Sequence, residues 1–541
     1  MATALTVSTD LPLTVGPLIR ARARSLGAHD FLVCDDERLS FADADERSTV
    51  LARALLAAGA GRSTHVGILM PSGAAFVCAW LAVTRIGAVA VPISTFSTAD
   101  ELRPLIANAN VGILLSAGSF RSHDYTATLL QALPALGPAP SGPLYLPQAP
   151  SLRWVFVDDG TTNWPVHRSM AALYELADAT DDAFLAAVEN DVAPSDRMVI
   201  VHTSGSTSSP KGVIHTHGSL ITHLANLNGL RGLVPGMKLF SNSPLFWIGG
   251  LAYNIVGCLV AGATLVCSTS TNSSDTLDLI ERERPQMVNG YAQTVAQLVK
   301  DPTFAARDFS SIRHGNLYPI MPDDVRPADV ELRHNMLGMT ETGSVCLMYP
   351  DESDQPERYR GSFGKPVPGL ETIVVDPNTG HASAVAELGE LWMRGPLLME
   401  GYYGRERHDV FAPDGWFRGG DLFTIDDDGF FYFKGRRGDM IKTGGANVSP
   451  REVEQALRDL VAHEVLVVGV PDAERGQVVV AIVIAPEGTD VDETTLVGQL
   501  RTKLSHYKVP RRVIRLSDAE VPMLSSGKVD GLRLKELLRG R

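Results

Sequence analysis

HTSGSTSSPKG, residues 202–212, is the stretch from which the rest of the chain is read. It follows the apolar run Met198, Val199, Ile200, Val201, and it gathers a string of hydroxyl side chains, two glycines, a proline and Lys211 into one loop. A strand opening into such a loop offers backbone N–H groups, hydroxyls and one ammonium to a polyphosphate. The order GxxxxGK[ST] of a P-loop NTPase is absent, because Lys211 follows Pro210 and precedes Gly212. On its own residues the loop reads either as a phosphate cradle or as an ordinary surface turn. Only the segments around it separate the two.

The chain has 541 residues, long for a single core, so at least two units are expected. Hydrophobic residues make up 45% and charged residues 20%, the balance of a globular protein rather than a disordered one. A net charge of −14 leaves no basic surplus to displace counterions, which argues against a nucleic-acid partner and requires any anionic ligand to be met by a local site. Cys34, Cys78, Cys258, Cys267 and Cys346 are scattered without CxxC or His/Cys metal spacing, so buried, reduced thiols and a cytoplasmic location are expected. No basic segment followed by an apolar core opens the chain, so no signal peptide is expected. Residues 245–267 carry no formal charge and are long enough to span a bilayer, but Gly249, Gly250, Gly257 and Gly262 break them. A buried helix followed by a buried parallel strand fits this segment better, and no membrane span is predicted.

In order along the chain, a helix is predicted over 42–58, a strand over 65–70, an apolar helix over 74–86, and strands over 88–93, 111–115 and 154–157. Buried strands alternating with helices indicate a parallel sheet covered on both faces. The proline-rich residues 133–150 suit a surface excursion. A helix begins near His217, and short strand-like pieces at 286–289 and 312–316 end in polar or glycine residues, where open parallel sheets place ligands. Thr340 beside Glu341 follows a short apolar segment; it reads as a phosphate contact next to a Mg²⁺ ligand, or equally as a helix cap. From 361 to 433 the pattern becomes short strands and tight turns, a β-rich subdomain in which Asp421 follows Gly419 and Gly420. Residues 433–450, dense in charge and glycine, are the expected hinge region. Ser449 with Glu452 has capping-box spacing around Pro450, so a helix should start there. The remainder forms a small α+β unit ending in the SSGK loop at 525–528.

TSGSTSSPKG, LGMTE, GELWMRG, WFRGGD, GRRGDMIKTGGANVSPREVE and SSGK, in that order across nearly the whole chain, resemble the adenylate-forming superfamily of acyl-CoA synthetases, carrier-loading adenylation domains and firefly-type luciferases. The resemblance implies an α/β fold: a large N-terminal domain of parallel-sheet αβ subdomains with a β-rich subdomain (1–435, the latter about 361–435), a hinge at 436–440, and a small mobile α+β C-terminal domain at 441–541. It implies a two-step reaction in which a carboxylate attacks the α-phosphate of Mg-ATP and a thiol, commonly that of CoA, displaces AMP. Such a step brings two anions together, so catalysis rests on positioning and on cations aimed at the developing charge.

The same resemblance implies the site. Thr203, Ser204, Gly205, Ser206, Thr207 and Lys211 would hold the β- and γ-phosphates, Thr340 a phosphate, and Glu341 the Mg²⁺. Asp421 and Arg436 would hold the ribose, with Gly315, Asn316, Gly338 and Met339 completing the ATP site. Lys528 matches the adenylation lysine and Lys442 the lysine of the second step. Gly444 and Gly445 match the backbone of the CoA path, and Phe246, Trp247, Gly249 and Gly250 the acyl pocket. Four positions depart from the family pattern: Ser208 replaces a loop glycine, Leu337 an adenine-stacking aromatic, Trp247 a frequent histidine, and Gly438 a hinge Asp or Lys. Glycine tolerates the φ/ψ change of a hinge.

Phe246 to Tyr253 contains no charged residue, whereas an amino-acid-activating site needs an acid to pair the substrate ammonium. The expectation is therefore an AMP-forming acyl-CoA synthetase acting on an apolar fatty, cyclic or aromatic acid, with ATP, Mg²⁺ and CoA. Loading of a separate carrier protein and luciferase-like oxygenation are the alternatives. The expected partners are small molecules, with a homodimer possible.

Overall fold

The computed structural model describes residues 10–137, 142–158, 164–165, 168–203, 210–291, 295–376, 379–436, 441–522, 529 and 531–539, with only the main chain of Arg436. They form two compact units. One comprises Met1–Thr95, Ile106–His202 and Gly212–Gly435; the other comprises Phe96–Leu105, Thr203–Lys211 and Arg436–Arg541.

The larger unit is built on two mainly parallel sheets. In one, the strands run in the order Gly401–Tyr402, Lys211–Thr216, Arg197–Thr203, Val89–Pro92, His65–Leu69, Ile113–Ser116 and Trp154–Val157. The strands His65–Leu69, Val89–Pro92 and Ile113–Ser116 are buried along their whole length, as continuous apolar runs covered on both faces must be. The helix Ala74–Arg85 is buried all round, which explains its unbroken apolar sequence. The helix Phe41–Ala57 starts at a capping box, with the Asp43 amide donating to the Ser40 hydroxyl at 3.0 Å.

The second sheet runs His314–Gly315, Met287–Asn289, Lys238–Ser241, Thr264–Cys267, Asp30–Cys34 and Glu37–Ser40, with only the last pair antiparallel. Residues 245–267 do become a buried helical segment and a buried parallel strand. Gly249–Val256 is π-helical, Gly257–Ala261 is α-helical, and Thr264–Cys267 pairs with Asp30–Cys34. Gly250 fixes the entry to this segment, since a Cβ there would lie 2.0 Å from the Pro244 carbonyl oxygen. Among the described residues no helix is long and apolar enough to cross a membrane. All five cysteines are buried and free.

A three-stranded antiparallel sheet, Leu337–Met339, Ser344–Met348 and Lys365–Pro366, leads into a four-stranded one, Glu371–Val375, Gly389–Arg394, Phe417–Ile425 and Phe431–Arg436. The four-stranded sheet falls where the turn-dense sequence reads as short strands.

In the smaller unit the central strand Gly476–Ile484 is flanked by Glu464–Asp472 and Arg512–Leu516. Its residues alternate between two cores. Val479, Ala481 and Val483 face Val453, Leu457 and Leu500, while Val480 and Ile482 face Leu516, Leu534 and Leu538. The helix Pro450–Arg458 begins where expected, with Pro450 in its first turn, but the capping box does not form. The Ser449 hydroxyl is buried without a partner among the described residues. Glu452 instead meets the Lys508 ammonium at 2.8 Å, as does Glu101 of the segment Phe96–Leu105, also at 2.8 Å. Lys508 is buried, and a buried ammonium without counter-charge costs more than an unmade cap.

Candidate active site

Three parallel strands, Lys238–Ser241, Met287–Asn289 and His314–Gly315, end side by side, and the loops beyond their carboxyl ends are tied together by two asparagines. Asn242 accepts from the Tyr291 amide at 2.9 Å and donates to the Tyr291 carbonyl at 3.0 Å. Asn316 makes the same reciprocal pair with Gly290, accepting at 3.0 Å and donating at 2.9 Å. Such close backbone approach excludes side chains: a Cβ on Gly315 (φ +119°) would sit 1.8 Å from the Val288 oxygen, and one on Gly290 (φ +148°) 1.9 Å from Asn242 Oδ1. Gly315, Asn316, Asn289 and Tyr291 line a cavity of about 610 Å³, where the carboxyl ends of an open parallel sheet place ligands. Burial pushes the Tyr291 phenol up to about 12, so it is neutral at ordinary pH.

Gly338 and Met339 lie on the strand Leu337–Met339, and Thr340 and Glu341 on the single turn that follows it. Three neighbours fix this turn. His215, on the strand Lys211–Thr216, places Nε2 2.6 Å from the Thr340 carbonyl oxygen. Burial lowers the His215 pKa to about 4, so the ring is neutral and Nε2–H is the donor. The Tyr402 hydroxyl donates to Glu341 Oε1 at 2.7 Å, and the Met399 amide donates to the Glu341 carbonyl at 2.9 Å. Tyr402 is held in turn by antiparallel pairing with Val213. Glu341 is half-buried, with one carboxylate oxygen engaged by Tyr402, an arrangement that leaves the other for a hard cation.

Asp421 is 5% exposed on the strand Phe417–Ile425. Pairing with Gly389–Arg394 shifts register between Glu390 and Trp392, so Gly419, Gly420 and Asp421 form a bulge. Gly420 has φ +76°, and its amide donates to Glu390 Oε1 at 3.1 Å. The bulge is what turns WFRGGD out of the regular ladder.

In the smaller unit Lys442 is exposed on the strand Ile441–Thr443, its amide donating to Gln477 Oε1 at 2.8 Å. Gly444 (φ +54°) and Gly445 (φ +83°) are the two central residues of the hairpin to Ala446–Val448, where positive φ at both favours glycine. Thr203 ends the strand Arg197–Thr203, and Lys211 begins Lys211–Thr216. Ser204, Gly205, Ser206, Thr207 and Ser208, together with Gly438, expected at the hinge, and Lys528, expected to be the adenylation lysine, lie outside the described residues, as does the Arg436 side chain.

The family profile described as AMP-binding enzyme matches residues 19–403, and its C-terminal domain matches residues 452–528. The chain belongs to the AMP-binding enzyme family. The mitochondrial medium-chain acyl-CoA ligase of Rattus norvegicus is 28% identical over 546 residues, covering 97% of this chain and 87% of that protein. A CoA ligase of Mycobacterium tuberculosis, named for a methyl-dioxo-octahydroindenyl propanoyl group, is 30% identical over 535 residues, covering 97% and 99%. Among solved structures, the o-succinylbenzoate CoA synthetase of Bacillus subtilis superposes with a TM-score of 0.75 at 25% identity, covering 96% of this chain and 98% of that one. This AMP-binding enzyme is an AMP-forming ligase of the acyl-CoA synthetase class.

Phe246, Trp247, Gly249 and Gly250, expected to form the acyl pocket, are not among the residues lining the 610 Å³ cavity. Phe246 is buried, and Trp247 packs edge-on against Tyr291 with ring centroids 6.1 Å apart, so it reaches the cavity through that ring. Leu337 is buried, while Met336 and Tyr349 line the cavity. Among the residues that escaped the sequence reading are His215, Tyr402 and Arg231. The first two act across strands far apart in the chain, and no local pattern marks them. Arg231 ends the helix His217–Arg231, where a basic residue before a C-capping glycine has an ordinary role at the helix terminus. It nevertheless brings a charge to a cavity whose local segment, 246–253, has none.

Proposed function

We propose that the enzyme activates a carboxylic acid as its acyl-adenylate at the expense of ATP and transfers the acyl group to CoA. The observations that carry this reading are the Thr340–Glu341 turn, held by His215 and Tyr402, and the loops drawn together at the carboxyl ends of three parallel strands. Relatives that carry the names of CoA ligases over 97% of this chain support it.

In this reading Thr340 donates its hydroxyl to a phosphate oxygen, and Asp421, turned out by the bulge, accepts from the ribose hydroxyls. Glu341 is the residue that would hold Mg²⁺, with substrate phosphates and water as the other ligands, which suits a cation that binds through few protein carboxylates. When bound, the cation would supply positive charge to the phosphate oxygens. Backbone at Gly315 and Asn316 receives the adenine, since no side chain can intrude at Gly315. The substrate acid lies in the 610 Å³ cavity, whose Tyr253, Met287, Met336 and Met348 walls suit an apolar body. Lys528 cancels charge between the attacking carboxylate and the α-phosphate in the first half-reaction; Lys442 serves the second. The turn at Gly444 and Gly445 lets pantetheine approach the backbone closely.

A panel of carboxylic acids incubated with Mg-ATP, with and without CoA, tests the reading. AMP and pyrophosphate must appear only with an accepted acid, and multiple turnover must require CoA. Release of ADP, or AMP release independent of acid, would refute it.

A further inference from the structure

Arg231 is 7% exposed and lines the cavity, yet its guanidinium has no carboxylate within ion-pair distance among the described residues. Its Nε and Nη2 donate to Asn228 Oδ1 at 3.1 and 2.8 Å, and Nη2 also donates to the Tyr253 carbonyl at 2.9 Å. Nη1 is buried and donates to no partner among the described residues. The fold makes room for this group. A Cβ on Gly257 would fall 2.3 Å from Nη2, and the guanidinium lies 4.1 Å over the Tyr253 ring, inside the π-helical Gly249–Val256. π-helical turns cluster at functional sites because they re-aim side chains and carbonyls.

A second donor in the same cavity is also unused. Asn289, 4% exposed at the end of its strand, has a side-chain Nδ2 with no acceptor among the described residues. A buried guanidinium with no counter-ion and a buried amide N–H with no acceptor are each costly, and both costs vanish if a ligand oxygen carries the missing acceptors. Three acids line the cavity: Glu352 is engaged with His314 and Asp351 with Ser353, while Glu331 is exposed and makes no ion pair with Arg231.

We infer that Arg231, with Asn289, recognises an anionic oxygen group at the far end of the acyl substrate, so that the enzyme's acid is a dicarboxylate activated at one end and held at the other. This rests on the ligase reading and narrows it: the body of the acid is apolar, its remote terminus is not. A neutral terminus would leave the guanidinium buried and unpaired, so the discrimination is set by the enzyme's own uncompensated donors.

The test compares adipic, suberic, sebacic and terephthalic acids with their monomethyl esters, by kcat/KM for AMP release. At least one dicarboxylate should exceed its own monoester by roughly 10²-fold, the scale of a buried charge-assisted contact. In Arg231→Gln that ratio should collapse to about one; because both acids meet the same preparation, the ratio is unaffected by the fraction of folded enzyme. If Arg231→Gln does not fold, Asn289→Ala carries the test, with the ratio expected to drop about tenfold. Ratios at or below one for every pair in the wild type, while other acids yield AMP, would overturn this inference and leave the ligase reading intact. A high ratio unmoved by the substitution would remove Arg231 from recognition. AMP release from no acid of any kind would overturn the ligase reading and this inference with it.

Discussion

Tyr402→Phe removes one oxygen atom and with it the 2.7 Å hydrogen bond to Glu341. The rest of the Tyr402 environment persists, because its strand is held to Val213 and Ile214 by main-chain pairing and its ring is 8% exposed. A hydroxyl donating to a carboxylate contributes about 1.5–3 kcal/mol. Glu341 is half-buried, so water recovers part of this, and we take the lower end, about 1.5 kcal/mol. That energy now holds Glu341 in one orientation; without it the carboxylate samples others, and binding of Mg-ATP is weakened by about tenfold. The assay is kcat/KM for ATP across a Mg²⁺ titration. The variant should need more Mg²⁺ for half-maximal rate and lose about tenfold in kcat/KM at limiting Mg²⁺, with the loss shrinking as Mg²⁺ rises. A change below twofold at limiting Mg²⁺, or a loss independent of Mg²⁺, would refute the assignment of Tyr402 as the residue that positions Glu341.

Gly315→Ala places a methyl group 1.8 Å from the Val288 carbonyl oxygen and should cost both stability and ATP affinity, seen as a lowered Tm and a KM for ATP raised about tenfold or more. His202, His215 and His217 have pKa values lowered by burial to about 4, and His223 to about 3. The unfolded chain takes up these protons near pH 6.5 and the folded chain only near 4, so stability is complete above pH 6.5 and falls as pH drops toward 4. At pH 5.5 the loss is about 1.4 kcal/mol for each ring, so the urea midpoint should fall steeply between pH 7 and 5.5; a flat midpoint would contradict four neutral buried rings. Lys528→Ala should abolish acyl-AMP formation while supplied acyl-AMP still yields thioester, and Lys442→Ala the reverse; equal loss of both half-reactions in both variants would contradict separate lysines for the two steps. Trp247→Ala should widen the cavity through Tyr291 and shift preference toward bulkier acids, and an unchanged acid profile would count against that contact.

The parallel sheets were legible because their strands are short apolar runs buried on both faces, so hydrophobicity alone marks them. His65–Leu69 and Trp154–Val157 are examples. Glycines of the site were legible for a different reason: at Gly315 the backbone approach leaves no room for a Cβ, and at Gly444 and Gly445 the turn needs positive φ. What escaped the sequence depends on partners brought together only by the fold. Glu452 has capping-box spacing from Ser449, but the buried ammonium of Lys508 claims its carboxylate, and a charge–charge contact outweighs a cap. Tyr402 and Glu341 are far apart in sequence and meet because Gly401–Tyr402 pairs with Lys211–Thr216. Arg231 reads as an ordinary helix-terminal base until the π-helical turn and Gly257 are seen to house it.

Oxygen transfer is the most direct measure of the central claim. An accepted acid labelled with ¹⁸O in its carboxylate is converted with Mg-ATP and CoA, and the AMP is examined by mass spectrometry. Attack of the carboxylate on the α-phosphate predicts that one ¹⁸O atom appears in the phosphate of AMP and none in pyrophosphate. Label in inorganic phosphate with formation of ADP, or unlabelled AMP alongside thioester, would contradict it.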